Sequence, residues 1–545
     1  MLENATHAWY ADVLRYTKQL VHMQSISPGT GEISVAQTIL ELLHEGGLQE
    51  RYTLSGLDAL AGDRYGRHNA YAFLKGRSRS TLVLLSHFDI VGTKDYGSLE
   101  AFSLVPDALT ERRAQLGAVL AGTDPDDWMF GRGTADMKSG VAVNIALIRH
   151  FAARSTQLPL SLLFLTTPDE ENESAGVLQA VHFLSHLRAH YDIEYVGAIN
   201  TDYTTAQYTG DTHRYIFNGT IGKLLPSFLC IGSESHVGTS FNGLDANLLA
   251  AELIRDVSMN DALCDSKDGQ VTAPPVTLRA ADLKTHYDVQ LPFAAYFYLN
   301  VLTLTTTPDA LLTRLHRYAT TALAAVLQRV DEAEARWRRA SGTQAGLPRT
   351  RTGVVLTYAD LYTETVRRLG EQRVRAELDA EWEQWGPTVD SRERSLRLVH
   401  KLWTISEQQG PAIVLYYSPP YYPHVAATTG ALHDALTAVV QAHPELPLVQ
   451  QACYPYLSDL SYLRLDANVD TAIMKTNMPV WKEQGGAGSY YLPLAAIANL
   501  NIPVVNFGPF GQGAHQRNEG VVMSYSFGAL PQLICETIEY LGEHV

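Results

Sequence analysis

The chain has 545 residues, more than one ordinary domain uses, so two to four domains are expected. Hydrophobic residues make up 46% and charged residues 18%, with 40 Gly and 24 Pro spread along the chain, so large cores can form without disulfide staples. The formal net charge of -16 repels phosphate backbones and anionic lipid surfaces, which disfavours a nucleic-acid role.

The first twenty residues read as an amphipathic helix rather than a signal peptide, because no basic region precedes an uninterrupted apolar run. No segment approaches the roughly 18 consecutive apolar residues of a membrane span. Cys230, Cys264, Cys453 and Cys535 lie far apart without a CxxC pair, which excludes a compact thiolate zinc site and suggests a reducing compartment. A cytoplasmic protein with neither membrane nor nucleic-acid partners is expected.

Residues 81–222 repeat a strand-then-helix rhythm. Thr81 to Val91 is an apolar run ending in polar residues, and Ser139 to Arg154 is helical in period. A second strand opens at Ser161, a second helix runs from Glu173 to His190, and a third strand ends at Asp202. Strands alternating with helices argue for an α/β fold with a mainly parallel sheet sandwiched by helices. Ligands collect beyond the carboxyl ends of such strands, where His87, Asp89, Glu170, Glu171 and Asp202 fall.

From about residue 224 the texture changes. Leu224 to Gly232, Ala294 to Thr306, Thr352 to Leu361 and Ala412 to Pro419 look like strands, with a long helix from Pro308. The loop Ser341 to Gly353 reads as a solvated linker, its arginines included. After the Tyr-rich stretch Tyr416 to Val425 the first texture returns: a helix from Ala431, a glycine-rich loop from Asn501 to Gly520, and a closing helix. The division is a first catalytic part at 1–222, an inserted α+β lid or dimerisation domain at 223–425, and a second catalytic part at 426–545.

On a strand, residues two apart face the same side, so Asp89 can orient His87 and leave one imidazole nitrogen for a metal. Alone this signal is weak, since roughly two His-x-acid matches arise by chance in such a chain. In GRGTADMKSG, Gly131 to Gly140, Met137 takes the place of the glycine a phosphate loop needs before Lys138, so that reading fails. Asp136 is either a helix cap or a ligand. Asp169, Glu170 and Glu171 end a buried strand, where three carboxylates need compensation; a cation supplies it, and a solvated acidic loop at a helix N-terminus is the alternative. Asp202 ends the next strand and His515 sits between glycines. Three carboxylates and two imidazoles suit two zinc ions sharing a carboxylate bridge.

With these motifs assembled, the chain resembles the co-catalytic zinc family of aminoacylases, glutamate carboxypeptidases and succinyl-diaminopimelate desuccinylase. His87-Phe88-Asp89, GRGTADMKSG, Asp169-Glu170-Glu171, Asn200-Thr201-Asp202 and the His515 loop match its motifs in order. In the long middle and the Tyr-rich stretch it is similar to the bacterial arginine-utilisation branch of that family. The resemblance implies a zinc-exopeptidase core of the phosphorylase/hydrolase-like kind. It implies two Zn2+, with Co2+ or Mn2+ as alternatives, bridged by Asp136. His87 and Asp202 would complete one site, and Glu171 and His515 the other. Asp89 would orient His87, Glu170 would be the general base, and His236 would contact the substrate oxyanion, against the alternative of an exposed loop histidine. The Asp136–Met137 peptide is expected to be cis.

Two departures stand out. Leu244-Asp245-Ala246 replaces the family's x-Asn-Ala, and the strand near Asn300 lacks the arginine that grips a substrate carboxylate. The implied activity is hydrolysis of an amide or N-acyl bond in a small amino-acid-like or peptide substrate, in arginine catabolism. Hydrolysis of an amidino or carbamoyl C–N bond, and a non-catalytic metal-binding regulator, are the alternatives. A homodimer through the inserted domain is a further expectation.

Overall fold

The computed structural model describes residues 2–117, 124–154, 158–342, 351–386, 389–426, 429–466, 469–483 and 489–544. The chain divides into two compact units. The first comprises Met1–Ile221, Val425–Asp466 and Pro493–Val545, and the second Gly222–His424 and Ala467–Leu492.

The first unit is built on an eight-stranded sheet. Its spatial order is Leu54–Ala59, His68–Leu74, Ser161–Thr167, Ser80–His87, Glu194–Asn200, Val504–Asn506, Arg214–Phe217 and Leu448–Gln451. The four central strands from Ser161–Thr167 to Val504–Asn506 run parallel, as the alternating pattern implies. The hairpin Leu54–Ala59 and His68–Leu74, which the sequence reading had not singled out, adds an antiparallel edge. Central strands have both faces covered, so their side chains are apolar continuously rather than alternately. Leu82, Leu84, Leu162 and Phe164 join the core shared with helices Leu2–Val21, Lys138–Arg154 and Leu530–His544. On the opposite face, Tyr71 and Phe73 meet Phe183 and Tyr191 of helix Ala175–Tyr191 at ring separations of 4.6 and 5.3 Å. A small antiparallel sheet of Trp128–Phe130, Gly511–Gln512 and Gly520–Val522 joins the Asp136 loop to the His515 loop.

The second unit holds a five-stranded sheet ordered Val276–Asp282, Ala294–Thr303, Gly222–Ile231, Ala412–Tyr422 and Val354–Thr357, antiparallel except for its last pair. Helices Tyr358–Leu369 and Ser391–Ser406 cover one face around Leu229, Ile231, Val414 and Tyr416. Helices Ala246–Val257 and Pro308–Ser341 also pack on this sheet. Asp245 caps the first of these, its carboxylate accepting the Asn247 N–H at 2.8 Å, which gives one departure from the family pattern a local role.

Two details differ from the sequence reading. Residues 467–492, counted with the last catalytic part, pack with the second unit: Asn477 accepts the Ala359 N–H at 3.1 Å, and the Tyr490 hydroxyl accepts the Tyr421 N–H at 2.9 Å. Arg351 is not a solvated linker residue. It is largely buried, pairs with Asp331 and with Glu334 at 2.7 Å, and donates to the Phe241 carbonyl, so two helix carboxylates draw it inward. The rest of that loop, 343–350, lies outside the described residues. Among the described residues no helix is long and apolar enough to cross a membrane.

Candidate metal centre

Each central strand of the first unit delivers a polar residue at its carboxyl end. His87 is the last residue of Ser80–His87, and Glu170 and Glu171 follow Ser161–Thr167. Asp202 follows Glu194–Asn200, and Asn506 from the neighbouring strand holds its backbone. The Asn506 side chain accepts the Asp202 N–H at 3.2 Å and donates to its carbonyl at 3.0 Å. A Cβ on Gly508 would lie 1.9 Å from the Asp202 carbonyl oxygen, so only glycine lets the 507–511 loop approach this closely.

The donors gather in two triplets. One donor atom each from His87, Glu170 and Asp202 lies within 4.8 Å of the others, and the same holds for Asp136, Glu171 and His515. Asp136 faces both, with one oxygen 3.2 Å from His87 Nε2 and the other 3.1 Å from His515 Nε2. His515 Nε2 is also 2.9 Å from Glu171. The Asp136 carboxylate therefore points at imidazoles on either side, and the Asp136–Met137 peptide is cis. His87, Asp136, Glu171, Asp202 and His515, the five ligands implied by the resemblance, fall in this cluster together with Glu170.

Asp89 lies beside His87, which it is expected to orient, and also holds the next loop. One oxygen lies 3.4 Å from His87 Nδ1, while the pair accepts the N–H groups of Glu170 and Glu171 at 3.2 and 3.1 Å. Asp169, the first of the three acids, turns away to Arg67, which also engages Glu32 and Asp63. The compensation that the acidic run requires is thus divided: an arginine for Asp169, and imidazoles or cations for its neighbours. His236 belongs to the second unit, exposed on a turn where its Nδ1 accepts the Gly238 N–H at 3.0 Å.

The electrostatics match a cation site. Burial pushes Glu170 well above the usual carboxylate range, opposed by His87 and reinforced by Asp459, Glu171 and Asp202. Burial, then Asp136, does the same to Asp202, and Glu171 is raised for the same two reasons. For Asp136 burial also favours the neutral form, but His515 and His87 outweigh it and hold the group below its ordinary value. His515, beside Asp136 and Glu171, is pushed up to about 11. Burial opposes the charged form of His87, yet Glu170, Asp136 and Asp89 raise it well above 6.5. Both His87 nitrogens are buried close to carboxylates without a well-formed hydrogen bond. A nitrogen–oxygen donor set that is buried at His87, Asp136 and Asp202, partly buried at Glu170 and Glu171 and exposed at His515, and that seeks positive charge, fits divalent metal ions, which displace such protons on binding.

Sequence reasoning passed over three residues here. Asn506 has been described. Buried Asp459 accepts the Thr167 hydroxyl at 3.0 Å beneath the Glu170 loop, and burial raises it to about 7 against the pull of His87. Glu519 is wholly buried against the Asp136 loop. Asp459 and Asn506 carried no local motif, whereas Glu519 stood four residues after a suspected ligand in a glycine-flanked loop.

A model of peptidase family M20/M25/M40 matches residues 105–525. The chain is 32% identical over 544 residues to YqjN of Bacillus subtilis strain 168, covering 97% of this chain and 96% of that protein. It is 30% identical over 547 residues to RocB of the same organism, covering 96% and 94%. Against succinyl-diaminopimelate desuccinylase of Buchnera aphidicola subsp. Cinara cedri, identity is 27% over 232 residues, 42% of this chain and 51% of the enzyme. Among solved structures, aminopeptidase PepT from Bacillus cereus aligns with a TM-score of 0.52 at 12% identity over 98% of each chain, a likeness of fold.

Proposed function

This chain belongs to peptidase family M20/M25/M40, and from that premise we propose that it hydrolyses the amide or N-acyl bond of a small amino-acid-like or peptide substrate in arginine utilisation. The observation that carries the reading is the pair of donor triplets with Asp136 facing both. His87 and Asp202 would hold one ion, Glu171 and His515 the other, and Asp136 would bridge them. Zinc is the proposed metal, with cobalt or manganese as alternatives. When bound, such ions lower the pKa of water toward about 7 and polarise a carbonyl.

Glu170 is the proposed general base. It is partly buried beside the ligands, and its raised proton affinity suits it to take a proton from water and return it to the leaving nitrogen. Asp89 fixes the backbone on which Glu170 stands, so the carboxylate is presented with little freedom. Exposed His236 is the proposed donor to the substrate oxyanion. The edge strand Val276–Asp282, with Val276 and Leu278 exposed, supports homodimerisation through the second unit as part of the same proposal.

Zinc-loaded protein is to be screened against acyl-amino acids, dipeptides, and amidino- and carbamoyl-amino acids, with products identified by mass spectrometry. Release of an acid and an amine from acyl-amino acids or dipeptides is the expected result. Turnover confined to amidino or carbamoyl compounds would overturn the amide assignment.

A further inference from the structure

Glu519 has no place in the ligand set or in the proton transfers, yet its carboxylate is wholly buried. One oxygen accepts three backbone N–H groups of a single loop: Gly133 at 2.7 Å, Ala135 at 3.2 Å and Asp136 at 3.2 Å. The other accepts from Arg132 at 2.7 Å, and Arg132 is in turn held by Asp95 and the Gly92 carbonyl. The Glu519 carbonyl takes the Gly131 N–H at 3.1 Å, so the whole stretch 131–136 closes around one residue. Gly133 makes this convergence possible at φ 80°, in the left-handed region.

Burying a carboxylate is costly unless its lone pairs are filled, and an apolar residue of similar volume would fill the space with no such demand. What the carboxylate adds is direction: four donors must meet at two oxygens about 2 Å apart. It also stands four residues after His515, immediately before the strand Gly520–Val522 that pairs with Trp128–Phe130. Asp136 and His515 are 379 positions apart along the chain and share one donor triplet. Glu519 is the side chain that joins their loops.

Resting on the two-metal reading above, we propose that Glu519 is a positioning residue that sets the Asp136 carboxylate relative to His515 and so determines how tightly the Asp136–Glu171–His515 triplet holds its ion. A neutral amide at this position keeps the volume but puts an N–H donor where an acceptor is needed. An aspartate keeps the charge beside Arg132 but falls short of the loop.

The test is zinc titration of the metal-free full chain by calorimetry, with visible spectra of the cobalt-substituted protein, for wild type, Glu519→Gln and Glu519→Asp. Wild type is expected to bind two ions. Each variant is expected to bind one of them about 10–100-fold more weakly, the range for residues that orient ligands, with an altered cobalt spectrum. Glu519→Asp carries the test if Glu519→Gln does not fold. A folded variant with two ions at wild-type affinity and an unchanged spectrum would overturn the inference. Fewer than two ions in wild type would overturn the two-metal reading itself and this inference with it.

Discussion

In the first unit, Asp136 and the Glu170–Glu171 pair stand on loops whose backbone N–H groups end on buried carboxylates, Glu519 for one and Asp89 for the other. In the second, His236 stands on an exposed turn held by backbone hydrogen bonds rather than by a buried charge: Val237 donates to the Val289 carbonyl at 3.0 Å and Leu291 to the Ser235 carbonyl at 2.9 Å. Its ring accepts from Gly238, and its carbonyl accepts from the Thr239 N–H and hydroxyl. The first arrangement uses buried charge to fix the donor atoms of the proposed metal centre. The second leaves an exposed ring, the proposed oxyanion donor, without a buried charge behind it. The difference predicts which substitutions disturb metal and which disturb turnover alone.

The largest effect is expected from Glu170→Gln. It should bind two zinc ions as wild type does while turnover falls by about 10²–10⁴-fold, the usual cost of losing a general base. Loss of an ion would instead make Glu170 a ligand, as its place in the His87–Asp202 triplet permits. His236→Ala should lower kcat by about 10²–10³-fold, as for an oxyanion donor, without changing metal content or thermal midpoint. Near-normal turnover would leave the exposed turn without a part in the chemistry. Asp89→Asn should weaken zinc by about 10–100-fold, because Asp89 steadies both His87 and the Glu171 backbone. Unchanged affinity would remove the contrast between the two loops.

The smallest effect is expected at a residue outside the donor triplets. Burial works against the charged form of His443, but Glu536 at 2.6 Å and Glu445 at 3.0 Å outweigh it and raise its pKa. A group whose pKa rises on folding stabilises fully below its unfolded value of about 6.5, and that contribution fades as pH climbs through the folded value. Wild type should therefore lose its advantage over His443→Gln as pH rises above about 6.5, a change in thermal midpoint of no more than about 2–4 °C. A constant difference between the two proteins would assign His443 a packing role.

Where backbone pattern and charge coincide, the sequence is easy to read. The run Leu82–Leu85 is apolar on both faces because both are covered, and His87 marks the carboxyl end of the strand, where polar residues begin. Asp136 was ambiguous between cap and ligand because the two readings differ only in what lies across space, and His87 and His515 are 49 and 379 positions away along the chain. Asp459 could not be found locally, since its meaning comes from Thr167, 292 residues earlier. The return of residues 467–492 to the second unit is illegible for the same reason: it rests on contacts such as Asn477 with Ala359 rather than on any change of composition.

The most direct test of the account is a crystal structure of the zinc-loaded protein with anomalous difference maps recorded at the zinc edge. Two peaks about 3.5–4 Å apart are predicted, one against His87 and Asp202, the other against Glu171 and His515, with an Asp136 oxygen on each. A single peak, or peaks away from Asp136, would contradict it.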